Sequence, residues 1–208
     1  MEFNSKDYIS SLHEASKSTV EGQALMDAKY STTDVYNFDE IKKWFCRIYR
    51  SGEENLKSCD AYYQDDLRNY LVMEFKNTHH FKMKDYISEI AQKCTDTHLI
   101  LAETFWRNRK AAEIGKKVIL CLVYNDGISY GAGVQGFCKN INRVKPKQGS
   151  GARKSKEPVI YKDEQEYQKE IQVLKDTYEK DFYKEIMFLE KKEFCEVYAD
   201  NGYFQKLA

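Results

Sequence analysis

C-D-A-Y-Y-Q-D-D-L-R-N-Y-L-V-M-E-F-K, residues 59–76, decides how the rest of the chain is understood. Residues 70–76 are rich in β-formers and apolar on both faces until Glu74, as an interior strand is, and the run then ends in charge. Strand side chains alternate, so Glu74 and Lys76 share one face while Phe75 shares the other with Leu71 and Met73. Residues 58–64 form a second β-compatible run, and D-D-L-R-N between the two has the composition of a hairpin loop. A turn centred on Leu67 pairs Gln64 with Tyr70, Tyr62 with Val72, and Asp60 with Glu74. A slip of one residue would send Asp60 to the opposite face.

Two carboxylates facing each other in a partly buried site repel, and at least one is driven toward its protonated form unless a cation lies between them. A divalent metal removes the conflict. Mg²⁺ (or Mn²⁺) is a hard ion that prefers oxygen ligands, keeps several waters and sits readily beside phosphate. Asp60, Glu74 and the backbone carbonyl of Phe75 are the candidate ligands, leaving positions open for a water and a phosphate oxygen. Lys76 is the candidate to orient the attacking water or to stabilise developing negative charge.

With Asp60, Glu74 and Lys76 followed by a helical stretch at 82–112 and a strand at 117–124, the chain resembles the PD-(D/E)XK nuclease superfamily. That pattern is an acid on one strand, Glu-x-Lys or Asp-x-Lys on the next, then a helix and a further strand. The resemblance covers residues 38–125 and implies a restriction-endonuclease-like fold with Mg²⁺-dependent cleavage of DNA or RNA. Two departures stand out: Cys59 rather than proline precedes Asp60, and no first core strand is evident before Ser58. In this superfamily a glutamate of the leading helix sometimes joins the metal site, and Glu14, Glu21 and Glu40 are the candidates here. The fold is also used without catalysis. A second class of function therefore stands beside the first: a catalytically silent interaction protein, such as an immunity protein that neutralises a toxin. A neutral, tyrosine-rich chain suits protein recognition.

The 208 residues suit one domain, organised as an N-terminal helical part (1–50), the nuclease-like core (51–125), a Gly-rich and basic loop (126–157) and a C-terminal helix-strand-helix extension (158–208). The expected class is α/β: a mixed β-sheet with a central hairpin and a parallel strand, flanked by helices. A content of 42% hydrophobic and 14% aromatic residues supplies a core and argues against disorder. Lys+Arg and Asp+Glu are both 33, a balance that counts against strong non-specific binding of nucleic acid. Cys46, Cys59, Cys94, Cys121, Cys138 and Cys195 are widely spaced, with no C-x-x-C pair to suggest zinc or a redox centre. The start M-E-F-N-S-K-D-Y lacks the marks of a secretory signal, and no run approaches the ~20 apolar residues of a membrane span. A reducing, cytoplasmic setting with no membrane partner is expected.

Residues 1–30 read as one or two short helices, and 38–50 as a clear helix with Phe38, Ile41, Phe45 and Ile48 in one stripe and Asn37 and Glu40 as its cap. Trp44 belongs to that stripe by spacing and reads as core, the functional alternative being a base-stacking platform. His79 and His80 follow Lys76 in a polar loop, at the mouth of the proposed site. The stretch 82–112 is one bent helix or two, weakest at 95–97; its Lys82, Lys84, Arg107, Arg109 and Lys110 face either phosphate or solvent. Val118 to Tyr124 is a buried parallel strand after a helical crossover. Residues 143–156 carry Arg143, Lys145, Lys147, Arg153, Lys154 and Lys156 with no acid, either a phosphate-tracking arm or a solvated linker. A helix carrying Tyr167, Ile171, Leu174 and Tyr178, a strand at 182–189 and a short helix at 190–199 complete the chain.

Overall fold

A strand that is apolar on both faces needs cover on both. In the computed structural model, which describes residues 2–18, 22–52, 55–77, 83–106, 111–125 and 161–207, the strand Tyr70–Lys76 is hydrogen-bonded along both edges and buried except at its last residue. Among the described residues six strands form one open mixed sheet in chain order: β1 (Ile9–Ser11), β2 (Asp34–Asn37), β3 (Ala61–Gln64), β4 (Tyr70–Lys76), β5 (Val118–Tyr124) and β6 (Glu185–Glu190). Neighbours from β1 to β4 are antiparallel, whereas β4, β5 and β6 run parallel to one another. The helices are α1 (Leu12–Ala15), α2 (Phe38–Tyr49), α3 (Met83–Glu103), α4 (Ala111–Gly115), α5 (Tyr161–Asp181) and α6 (Lys191–Phe194). None of the described helices is long and apolar enough to cross a membrane.

The hairpin register is the expected one. Gln64 pairs with Tyr70, Tyr62 with Val72 and Ala61 with Met73, and the ladder stops there, one residue short of the expected Asp60–Glu74 pair. The Asp65 carboxylate closes the turn by accepting from the Asn69 backbone (2.9 Å) and side-chain amide (2.7 Å), and Arg68 takes the left-handed conformation at φ 66°. On one face, Tyr62 receives the Trp106 indole N–H (3.3 Å) and packs against Phe38 and Phe105. On the other, Tyr63 meets Tyr203 and Phe204, and Phe75 meets Phe194. The sheet thus has cover on both faces, and its buried residues join one cluster from Leu12 to Leu207.

The N-terminal part differs from the expected short helices. It holds a 3-10 turn at Ser5–Tyr8, then β1 and α1, a second 3-10 turn at Ala28–Thr32, and β2. Strands of three and four residues are too short to display an alternation, and they exist through pairing with partners distant in sequence. β2 supplies the strand that was not evident before Ser58. The helix at 38–50 is present as α2, capped by Asn37, whose side chain accepts from Glu40 N–H (3.2 Å), and closed by left-handed Arg50. Trp44 is 4% exposed and packs on Phe3, which makes it core.

α3 does not break at 95–97. Thr95 bonds back to the Ala91 carbonyl (3.3 Å), while the Asp96 and Thr97 side chains accept backbone N–H groups from the segment leading into β3. These tertiary hydrogen bonds of Asp96 and Thr97, with that of Thr95 to the Tyr178 hydroxyl (3.4 Å), hold three poor helix formers in helical form. The last strand is shorter than expected, because Tyr183 turns inward before it begins and donates its hydroxyl to the Cys94 carbonyl (2.9 Å). Five cysteines (Cys46, Cys59, Cys94, Cys121 and Cys195) are free and buried. Cys138, the Gly-rich stretch and the basic segment 143–156 lie outside the described residues.

α4 ends where the chain entering β6 passes close by. A Cβ on Gly115 would lie 2.6 Å from the Phe182 carbonyl oxygen and 3.0 Å from His98 Cε1, so backbone would have to move. Gly115→Ala is expected to lower stability by about 1–3 kcal/mol in urea denaturation. Wild-type stability in that variant would show that the approach is looser than described.

Candidate functional site

Residue Asp60 is fixed by backbone before its side chain does anything. Its N–H donates to the Met73 carbonyl (3.0 Å) and its own carbonyl accepts from Phe38 N–H (3.0 Å), so it ties β4 to the start of α2. The β3 ladder begins only at Ala61, which leaves Phe75 N–H facing the bend before that strand. The Asp60 Oδ2 accepts this N–H at 2.6 Å, standing in for a strand carbonyl. One turn of α3 secures the bend from below: Asp96 Oδ2 accepts Lys57 N–H (2.9 Å) and Thr97 Oγ1 accepts Cys59 N–H (2.9 Å).

Opposite this bend, Glu74 is 1% exposed. A carboxylate at that depth needs cations, and two lysines supply them. Lys93 of α3 donates to both oxygens, at 2.7 Å to Oε1 and 2.8 Å to Oε2, and Lys76 lies 3.2 Å from Oε1. Glu89, one turn before Lys93, extends the cluster at 3.4 Å from Lys76 and 3.6 Å from Lys93. Two glutamates and two lysines therefore balance, with Asp60 as a third acid beside them.

The local electrostatics follow from that imbalance. Burial, reinforced by the Glu74 charge, pushes the Asp60 carboxyl well above the usual carboxylate range, against the lowering effect of Lys93 and the Phe75 N–H. Asp60 still keeps partial solvent contact although protein surrounds it. Burial alone would make Lys93 easier to deprotonate, but the charges of Glu74 and Asp60 outweigh it and hold the ammonium protonated. Burial opposes ionisation of the half-exposed Glu89 as well, and Lys76 and Lys93 more than offset it, so its carboxyl sits below its ordinary value.

The three residues singled out from sequence, Asp60, Glu74 and Lys76, thus come together at one site. Phe75 has its N–H on Asp60 and its ring against Phe194 on the opposite face. Glu14 and Glu40 are exposed and paired locally with Lys17 (2.6 Å) and Lys43 (2.6 Å), outside the cluster. Glu21, His79, His80, Lys82, Arg107, Arg109 and Lys110 lie outside the described residues, as does the side chain of Lys84. The sequence-based reading missed Lys93 and Glu89. Its available signal was spacing: Lys93 follows Ile90 by three positions and precedes Cys94, on a stripe where a lysine needs a buried acid.

The donor chemistry suits a hard cation, since the acids offer only oxygen and Mg²⁺ is commonly held by one or two carboxylates plus phosphate. Among the described residues no three His, Cys, Asp or Glu side chains form a ready-made metal cage. An ion at Glu74 would meet the Lys93 ammonium on the same two oxygens. Asp60 and Glu74 therefore fit a divalent ion in kind, with Lys93 as its competitor.

No protein-family model matches this chain, and no match was found among curated proteins or solved structures.

The raised Asp60 carboxyl has a definite sign for stability. An acid that binds its proton more tightly when folded contributes stability that is complete below its unfolded value, near 4, and lost as pH rises through the folded value. Asp60→Asn keeps an oxygen to accept the Phe75 N–H and removes this loss. Urea denaturation between about pH 4 and pH 8 is expected to show the variant gaining on the wild type as pH rises. A constant difference would mean that Asp60 ionises normally.

Proposed function

We propose that the chain is a PD-(D/E)XK-like phosphodiesterase acting on DNA or RNA, with Mg²⁺ or Mn²⁺ as its cofactor. What carries this reading is the placement of Asp60, Glu74 and Lys76 together at the carboxyl end of β4, where the sheet changes from antiparallel to parallel pairing. Ligand sites of open α/β sheets lie beyond the carboxyl ends of the strands. Asp60 and Glu74, with the Phe75 carbonyl, would hold the ion. When bound, that ion supplies an activated water and a polarised phosphodiester.

The chain's own residues prepare the rest. Lys76 sits at the strand end, partly exposed, tethered to both Glu74 and Glu89, and so presents an ammonium toward anything entering from solvent. Burial of Glu74 keeps bulk water from the inner side of the site. The Asp96 and Thr97 bonds to the approach of β3 hold Asp60 in place against the pull of an incoming charge.

A second reading, a catalytically silent protein that binds and neutralises a partner such as a toxin, is favoured by one observation. The two glutamates and two lysines already satisfy one another, as they would in a site that needs no ion. On this reading a one-to-one complex with a toxin encoded by a neighbouring gene would survive Lys76→Ala.

Under the first reading, millimolar MgCl₂ or MnCl₂ raises the melting temperature of the wild type but not of Glu74→Gln. Lys76→Ala is expected to lower the cleavage rate on single-stranded DNA, duplex DNA or RNA by about 10²–10³-fold. A folded wild type with neither a divalent-specific shift nor cleavage of any of the three overturns the proposal in favour of the second reading.

A further inference from the structure

We propose that Lys93 is a built-in counter-cation that keeps Glu74 neutralised until a divalent ion arrives, and that Glu89 receives its ammonium when the ion takes its place. The inference rests on the metal-dependent reading above and adds to it a residue from a different element. Lys93 approaches Glu74 almost symmetrically, at 2.7 Å and 2.8 Å from the two oxygens, the position a chelated ion would take. Glu74 is 1% exposed, so the carboxylate cannot stand open to water between occupants. A cation has to be present at all times, and the chain carries its own.

Two features make the occupant replaceable. The first is its chemistry: an ammonium on a flexible four-carbon stem holds a carboxylate as a point charge, without the planar fork that lets arginine lock both oxygens. The second is the receiving group. Glu89 is one helical turn back on α3, its nearer oxygen 3.6 Å from Lys93 Nζ, and its side chain is 37% exposed, free to follow the ammonium outward. The movement needed is a change of side-chain rotamer, with no displacement of α3, which stays anchored through Asp96 and Thr97. Lys76 bridges Glu74 (3.2 Å) and Glu89 (3.4 Å). Because Lys93 leaves Glu74 without leaving the cluster, the incoming charge is added to it. The cluster then becomes more positive and more receptive to phosphate.

Isothermal titration of the full-length chain with MnCl₂ tests this, with circular dichroism as the check on folding. Lys93→Met removes the competitor and is expected to bind Mn²⁺ about 10- to 100-fold more tightly than the wild type. Lys93→Arg, which grips both oxygens, is expected to bind about tenfold more weakly. Mn²⁺ should also restore the melting temperature of Lys93→Met by a larger shift than it gives the wild type, whereas a purely structural lysine would leave a defect that the ion does not repair. Where Lys93→Met does not fold, Glu89→Gln decides, since loss of the receiving carboxylate is expected to weaken Mn²⁺ binding. Folded Lys93→Met that binds Mn²⁺ no more tightly than the wild type overturns the inference and leaves the metal-dependent reading intact. Absence of Mn²⁺ binding in both proteins, or binding unaffected by Glu74→Gln, overturns that reading and the inference with it.

Discussion

The ion pair between Glu74 and Lys93 is the interaction on which the architecture around the site depends. A carboxylate on the central strand of a covered sheet is unfavourable on its own, and removing one partner of such a buried pair costs about 3–5 kcal/mol. The pair therefore constrains α3 to lie across β4 in one position along its axis, with Lys93 above Glu74. Asp96 and Thr97 follow within the next turn and reach the backbone ahead of β3, so the same helix placement that satisfies Glu74 also fixes the bend that presents Asp60.

That bend is a place where the sheet stops being regular and function can enter. A continuing β3 would have offered Phe75 a carbonyl acceptor, and the chain offers the Asp60 carboxyl in its place. One side chain thereby completes the ladder and brings an acid beside Glu74. Burial, with the Glu74 charge adding to it, pushes the Asp60 carboxyl upward, and perturbed groups of this kind concentrate at functional sites. The site lies at the end of β4, where antiparallel pairing on one edge of the strand meets parallel pairing on the other.

The remainder of the molecule keeps this region rigid. Aromatic side chains cover the sheet on both faces around Tyr62 and Tyr63, and the last residues of the chain lie against the same hairpin, with Gln205 N–H donating to the Tyr63 hydroxyl (2.7 Å). The start and end of the chain are joined directly, Lys29 and Tyr30 to Asp200 and Asp27 to Lys191. Hairpin, α3 and C-terminal segment together surround a small cluster of charged side chains.

How much of this was legible beforehand varies with range along the chain. The hairpin register follows from the spacing of Asp60, Leu67 and Glu74, because a two-residue alternation and a short loop leave few alternatives, and α2 and β5 are marked by strong periodicity or an unbroken apolar run. Asp60, Glu74 and Lys76 could be placed together for the same reason: the hairpin that joins them is local. β1 and β2 were not legible, since strands of three or four residues take their stability from partners far away in sequence. Lys93 and Glu89 also escaped notice, because only the packing of a distant helix across β4 decides which of many lysines meets the buried glutamate. Local pattern determines which groups stand side by side on neighbouring strands; the tertiary fold alone decides which charges from elsewhere must come to neutralise them, because burial makes that pairing obligatory.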